Sequence, residues 1–188
     1  MRSDRRAPVA RGVGALLLLL AAAGCAHTRL PGSAIDAPEL ERDELQWWQS
    51  LESRPLLTNH DALHGLLLLA DGRDERASWH ARLTAARARG WIDEDEAPEP
   101  DETAEVGLVS VAVVEMLGIR GGVTLRLLGS SPRYCTRELV FEGLLPKRTR
   151  RETMSGLEFV DLAGRVEDWR ERRGGAAAAA EAGGGGGP

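Results

Sequence analysis

Three apolar stretches, each entered just after a threonine, limit the fold of this chain more than any other feature. They begin at Thr58, Thr103 and Thr153, 45 and 50 residues apart. In the first, Thr58 and Asp61 make a capping box, Leu63, Leu66, Leu67 and Ala70 recur at helical spacing, and Asp71-Gly72 ends the run. The second holds Val106, Leu108, Val109, Val111 to Val114, Met116 and Leu117. Its valines would suit a buried strand, but its length and Gly118 just past the end favour a helix buried on nearly all sides. The third, Thr153 to Arg170, carries Leu157, Val160, Ala163 (or Leu162) and Val166.

Two shorter helical segments alternate with these. One covers 75–89, with Trp79, Leu83 and Ala86 on one face, Arg82, Arg87 and Arg89 toward solvent, and Gly90 as the stop. The other runs from Arg133 to Leu145, with Leu139 and Leu144 inward. Each has an aromatic near its start, Trp79 or Tyr134. Each ends in Gly-apolar-apolar, Gly90-Trp91-Ile92 or Gly143-Leu144-Leu145. A helix opening near Asp36-Ala37-Pro38 carries a stripe of Trp47, Trp48 and Leu51, which must dock on something. Residues 122–128 fit either helix or strand. Turn-delimited β alternation is absent, so the expectation is an all-α bundle of five to six helices over residues 39–170, with a pseudo-repeat of about 45–50 residues.

The order helix, Gly-apolar-apolar, Pro/Asp loop, Thr-started helix resembles the surface-layer homology repeat over residues 57 to 168. Pro100-Asp101, Thr103, Glu105 and Gly118-Ile119 fall where that pattern wants them. The family's Thr-Arg-Ala-Glu reads Thr103-Ala104-Glu105 here, and its arginine is missing at all three threonines. The resemblance implies a module that contacts cell-wall polysaccharide, with Thr103 and Glu105 as binding positions.

The N-terminus has the layout of an export signal. Arg2, Arg5, Arg6 and Arg11 precede the apolar run Val13 to Ala23, and Gly24-Cys25 follows. The run is too short to span a bilayer, which needs about 20 residues. Ala22-Ala23-Gly24-Cys25 resembles the lipobox of bacterial lipoproteins, whose usual residue at the Ala22 position is Leu, Val or Ile. The resemblance implies removal of residues 1–24 and lipid on Cys25. Arg5-Arg6 hints at twin-arginine export, though Ala7-Pro8-Val9 lacks the hydrophobic residues of that route. Ala26 is not the aspartate that retains lipoproteins at the inner membrane, which points to an outer membrane, facing the periplasm. Residues 25–38 read as a flexible tether, and 171–188, ending GGAAAAAEAGGGGGP, as a disordered tail.

Loss of residues 1–24, with four arginines and one aspartate, takes the net charge from −5 to −8. That balance argues against nucleic-acid partners and against adsorption on anionic lipid through basic patches. With Cys25 lipidated, Cys135 has no intramolecular partner and reads as a buried apolar residue. His60 and His64, four apart on one helix face, are weak metal candidates; with only His80 and Asp61 nearby to complete a site, no metal or cofactor is expected. The run 93–102 holds seven carboxylates but no glycine and two prolines, so it reads as a solvated loop before a helix N-terminus rather than a calcium loop. Ser130-Ser131 lacks the glycine frame of a nucleophile elbow, and Gly118, Gly121 and Gly122 lack nucleotide-binding spacing. No catalytic residue is assigned. Trp47 and Trp48 read as core, with a partner or glycan platform as the alternative.

The expectation is therefore a non-catalytic envelope lipoprotein that contacts a cell-wall polymer. A protein–protein adaptor using Trp47/Trp48 or residues 122–134 comes second. A metal-dependent enzyme built on His60 and His64 comes third.

Overall fold

A computed structural model of the 188-residue chain describes residues 28–36, 43–121 and 129–183, with side chains as far as Gly175. Cys25, the export segment, residues 122–128 and residues 184–188 lie outside the described residues.

The described residues form six α-helices and no β-strand. A 3-10 turn at Ala34–Asp36 precedes α1 (Glu44–Glu52) and α2 (Asn59–Asp71). Then come α3 (Trp79–Ala88), α4 (Val106–Leu117), α5 (Pro132–Phe141) and α6 (Gly156–Gly183). Several ends follow the local chemistry read from the sequence. Thr58 caps α2 by accepting from the Asp61 N–H, and Gly72 and Gly118 end α2 and α4 in the left-handed conformation. The strand alternative for the valine-rich segment loses to the helix because Val109, Val111, Ala112, Val113 and Val114 are all buried, which a one-faced strand would not achieve.

The long helices α2, α4 and α6 start from one backbone knot. The Leu57 N–H donates to the Met154 carbonyl (2.8 Å), the Ala104 N–H to that of Leu57 (2.9 Å), and the Met154 N–H to that of Ala104 (3.3 Å), closing a ring of three bonds. A second ring lies outside it. The N–H groups of Asn59, Val106 and Gly156 donate to the carbonyls of Glu102, Glu152 and Arg54 at 2.8, 2.8 and 3.0 Å. First-turn amides have no partner within their own helix, so each unit's loop satisfies the start of another unit's helix. The three starts are therefore equivalent, with Thr58, Glu105 and Ser155 as the residues before each helix, 47 and 50 residues apart.

This corrects the register of the repeat. Thr103 and Thr153 do not start helices; they lie in isolated β-bridges, to Thr58 and Glu105 respectively. At α6 the cap is Ser155, which accepts from the Glu158 N–H while the Glu158 carboxylate accepts from the Ser155 N–H, a complete capping box. Glycine is required at the knot. A Cβ on Gly156 would stand 1.9 Å from the Leu51 carbonyl oxygen. One on Gly65 would stand 2.4 Å from Phe159, where α2 meets α6.

Around this knot Trp47, Leu51, Leu63, Leu66, Leu67, Val113, Leu139, Phe159 and Leu162 form one core. Two further expectations are overturned. The segment 28–36 is no loose tether: Ser33, Ala34 and Ile35 are buried, the Leu30 N–H donates to the Asp101 carbonyl (2.8 Å), and the Thr103 N–H to that of Thr28 (3.0 Å). Helix α6 also continues to Gly183, so residues 171–183 are helical where disorder was expected. Alanine, the best helix former, fills that stretch and extends an already nucleated helix at little cost. Among the described residues, no helix is long and apolar enough to cross a membrane.

Candidate functional site

The equivalent starts of α2 and α4 differ in what lies against them. At α2 the carboxylate of the buried Asp61 accepts from the backbone N–H groups of Ala34 (3.0 Å) and Ile35 (3.1 Å) and from the Thr58 hydroxyl (2.9 Å). Ser33 Oγ lies 2.8 Å from Thr58 Oγ1, and Arg54 donates to the Gly32 carbonyl (2.9 Å) while standing 3.6 Å from Asp61. Segment 32–35, which runs into the 3-10 turn, is thus a short strap seated on the helix start.

At α4 the corresponding positions are Glu105, whose side chain makes no cap bond, and Leu108. Among the described residues, no strap covers them. A cleft of about 430 Å³ opens there instead, with Trp91, Ala97, Pro98, Leu108, Val111 and Pro132 as its apolar wall. Glu96, Glu102, Glu105, Asn59 and Thr103 supply the polar side. The acidic loop is fixed rather than free: Asn59 Nδ2 donates to the Glu99 carbonyl (2.9 Å), and the Arg87 guanidinium donates to the Glu96 carbonyl. Desolvation, followed by the nearby Asp93, Asp95 and Glu105 carboxylates, raises the pKa of Glu96. The cleft is therefore a concave apolar slot with a concentrated negative edge, chemistry that suits a ligand pairing an amine with an apolar or ring face. The equivalent position at α6 holds only a small hollow of about 50 Å³, crossed by Arg148, which pairs with Glu152 and Glu158.

The histidines belong elsewhere. Asp74, with no side-chain exposure, accepts from His64 Nδ1 (2.8 Å), Arg82 Nε (2.6 Å) and Arg76 (3.0 Å). Burial pushes the Asp74 carboxyl upward, but the hydrogen bonds from His64, Arg82 and Arg76 override it and hold it well below the usual carboxylate range. Arg82, expected toward solvent, is only 2 % exposed, because this carboxylate draws it into the interior. Its other branch donates to His60 Nε2 (2.8 Å), since a guanidinium can only donate. Burial and then Arg82 lower the pKa of His60, while Asp36 and Asp61 oppose the shift. The two histidines are thus tied to different partners. Among the described residues, no group of three or more His, Cys, Asp or Glu side chains is placed to hold a metal ion.

Trp47 is fully buried, its ring edge-on to His64 at 4.6 Å, so it is no platform for a partner. Trp48 is half-buried and stacks on Phe159 at 5.8 Å. Cys135 is buried, and its desolvation pushes the thiol up to about 12. Of the binding positions named in the sequence, Thr103 and Glu105 line the cleft, and Glu96 and Glu102 of the acidic run join them. Trp91, Leu108, Val111 and Pro132 were legible as apolar residues but not as walls, since three separate segments supply them. No family model, no curated protein and no solved structure matches this chain.

Proposed function

We propose that the protein is a non-catalytic lipoprotein of the bacterial envelope, anchored by lipid on Cys25 in the outer membrane facing the periplasm, and that the cleft at the start of α4 contacts a cell-wall polymer. One observation carries the binding part. At the start of α2 the chain's own strap fills the ground beside Thr58 and Asp61, whereas the equivalent ground beside Glu105 and Leu108 is an open cleft. The missing arginines of the surface-layer homology pattern, together with Glu96, Glu102 and Glu105, direct the reading toward amine-bearing rather than anionic polymers.

Acyl anchoring at one end would let a weak wall contact act at high local concentration. The test is co-sedimentation of the mature domain with purified peptidoglycan, beside Leu108→Trp, which fills the half-buried wall of the cleft. Retention of the wild type, loss with Leu108→Trp, and loss after acetylation of the free amines of the wall material support the reading. Equal retention of both proteins would remove the cleft from it.

A second reading, a protein–protein adaptor, draws on one feature. Phe141 is 82 % exposed at the end of α5, beside a hollow formed with Gly118, Gly121, Glu142 and Arg173. Crosslinking that captures a protein at Phe141 and no glycan at the cleft favours it.

A further inference from the structure

We infer that the cleft at the start of α4 is a site for an organic cation. Its carboxylates and the Thr103 carbonyl take a primary ammonium carried on an aliphatic stem, where the α6 unit seats Arg148. In the wall polymer that group is the side chain of a diamino acid in its peptide part. This deepens the reading above and rests on it for the polymer, but not for the cation.

The ground before α4 and the ground before α6 match position by position. Glu102 and Glu152 stand three residues before Glu105 and Ser155, and Pro98 and Arg148 stand seven before them. The same bonds shape both turns. The Glu102 N–H donates to the Glu99 carbonyl (3.4 Å), and the Glu152 N–H to that of Thr149 (3.2 Å). In return the Glu99 and Thr149 N–H groups donate to the Glu102 and Glu152 carboxylates, at 3.5 and 2.9 Å. The walls correspond too. Glu96, Pro98, Leu108 and Val111 of the cleft fall at the positions of Pro146, Arg148, Glu158 and Asp161 in the small hollow at α6.

Arg148 fills that hollow with a guanidinium. It donates to the Thr153 carbonyl (2.7 Å) and to Glu158, and its Nε stands 2.6 Å from the Glu152 carboxylate. At α4 Pro98 takes the arginine's place in the repeat. Glu102 and Thr103 keep theirs, and Glu96 and Glu105 add two carboxylates. Among the described residues no cation pairs with these three carboxylates, and Arg87 reaches the Glu96 carbonyl instead. Thr103 is only 4 % exposed, and among the described residues neither its hydroxyl nor its carbonyl has a hydrogen-bond partner. A buried carbonyl beside unpaired carboxylates is best satisfied by a donor that carries positive charge.

The rest of the cleft selects the stem. Leu108 and Val111 replace the carboxylates that α6 has at Glu158 and Asp161, and with Pro132 they add apolar wall to the charged edge. Such a wall suits methylene groups, which need no hydrogen-bond partner, better than the hydroxyls of a sugar. Trp91 gives a sugar little to stack on, because it is buried and the Arg89 guanidinium lies 5.4 Å from its ring centre.

Full-length protein in detergent micelles is titrated at low salt with Nα-acetyl-lysine methylamide and followed by ligand-observed NMR. Binding about tenfold tighter than that of glucosamine, or of Nα-acetyl-norleucine methylamide, which has the stem without the amine, is expected. Pro98→Arg, which restores the α6 arrangement, is expected to abolish binding without lowering the urea midpoint. Glu102→Gln is expected to weaken binding about threefold, and it decides the matter if Pro98→Arg does not fold. Equal binding of either comparison ligand, or no effect of Glu102→Gln, overturns the site. The polymer is tested separately. Binding of the lysine derivative without retention on peptidoglycan keeps the cation site and removes the wall, whereas retention that excess lysine derivative does not compete keeps the wall and removes the site.

Discussion

Helices α2 and α4 begin in the same backbone environment and diverge at two side chains, Thr58 against Glu105 and Asp61 against Leu108. At α2 the third helical residue is Asp61, and its carboxylate gathers the Thr58 hydroxyl and the amides of Ala34 and Ile35 into a sealed, fully hydrogen-bonded helix start. At α4 the same position is Leu108, which offers nothing to a backbone, and the ground beside it remains a cleft edged by Glu96, Glu102 and Glu105. In both units the first two amides are satisfied by a neighbouring loop, those of Asn59 and His60 by Glu102 and Pro100, those of Val106 and Gly107 by Glu152 and Arg150. Side-chain capping is therefore spare at α4, and the positions that would supply it are free for another use. What separates the sealed end from the open one, among the described residues, is whether a strap is seated there.

The largest test strikes what the two ends share. Gly156→Ala sets a methyl against the Leu51 carbonyl inside the knot, with no flexible neighbour to yield. We expect a loss above about 4 kcal/mol, seen as failure to give a cooperative urea transition. A folded, near-native variant would mean that the knot is not what positions the helix starts.

The next test opens the sealed end. Asp61→Ala removes the acceptor of two strap amides and leaves them unpaired, for an expected loss of about 2–4 kcal/mol by urea denaturation, together with faster proteolysis around residues 28–36. At α4, Glu105 stands where Thr58 stands at α2 but makes no cap bond, so Glu105→Ala is expected within about 0.5 kcal/mol of wild type. Similar losses for the two would dissolve the comparison.

A smaller effect comes through pH. His60 lies at the sealed end between Arg82 and Asp36, and its pKa is lowered from 6.5 in the folded protein. The unfolded chain then takes up a proton near pH 6.5 that the folded protein refuses until lower pH. Stability is level above that value and falls as pH drops below it, by at most about 1.4 kcal/mol per pH unit. Thermal melts of wild type and His60→Gln at pH 7.5 and 5.5 check the sign; the variant is expected to lose most of the slope. The smallest effect belongs to Ser33→Ala, which deletes one strap hydroxyl contact with Thr58 and is expected to cost about 1 kcal/mol.

Local chemistry was readable wherever a few adjacent residues decide the outcome. The Thr58 cap, the glycine stops at Gly72 and Gly118 and the inward set Leu63, Leu66 and Leu67 all stand as the spacing implied, though the Asp61 carboxylate turns to Ala34 and Ile35 instead of completing a capping box. The pseudo-repeat was readable too, but its register was not. Threonine is a strong cap signal, and it drew the starts of α4 and α6 to Thr103 and Thr153, when α4 starts at Glu105 without a side-chain cap and α6 takes its cap from Ser155. Arg82 was misread for a related reason: helical spacing alone sends it to solvent, and only Asp74, on a different segment, draws it inside. The strap was hidden because its Gly, Ser and Ala residues look like linker, and its order comes from Asp61 and Arg54, more than twenty residues downstream.

By itself, then, the sequence determined an all-helical chain, the apolar faces of its helices, two glycine stops, a buried unpaired Cys135 and a repeating order of segments, because each depends on periodicity or on neighbours in the chain. Tertiary structure alone decided that the three helix starts interlock, that residues 28–36 belong to the domain, and that Thr103 and Glu105 face a cleft. Those outcomes depend on which distant backbone groups satisfy one another, and a buried amide must find a partner wherever the fold supplies one.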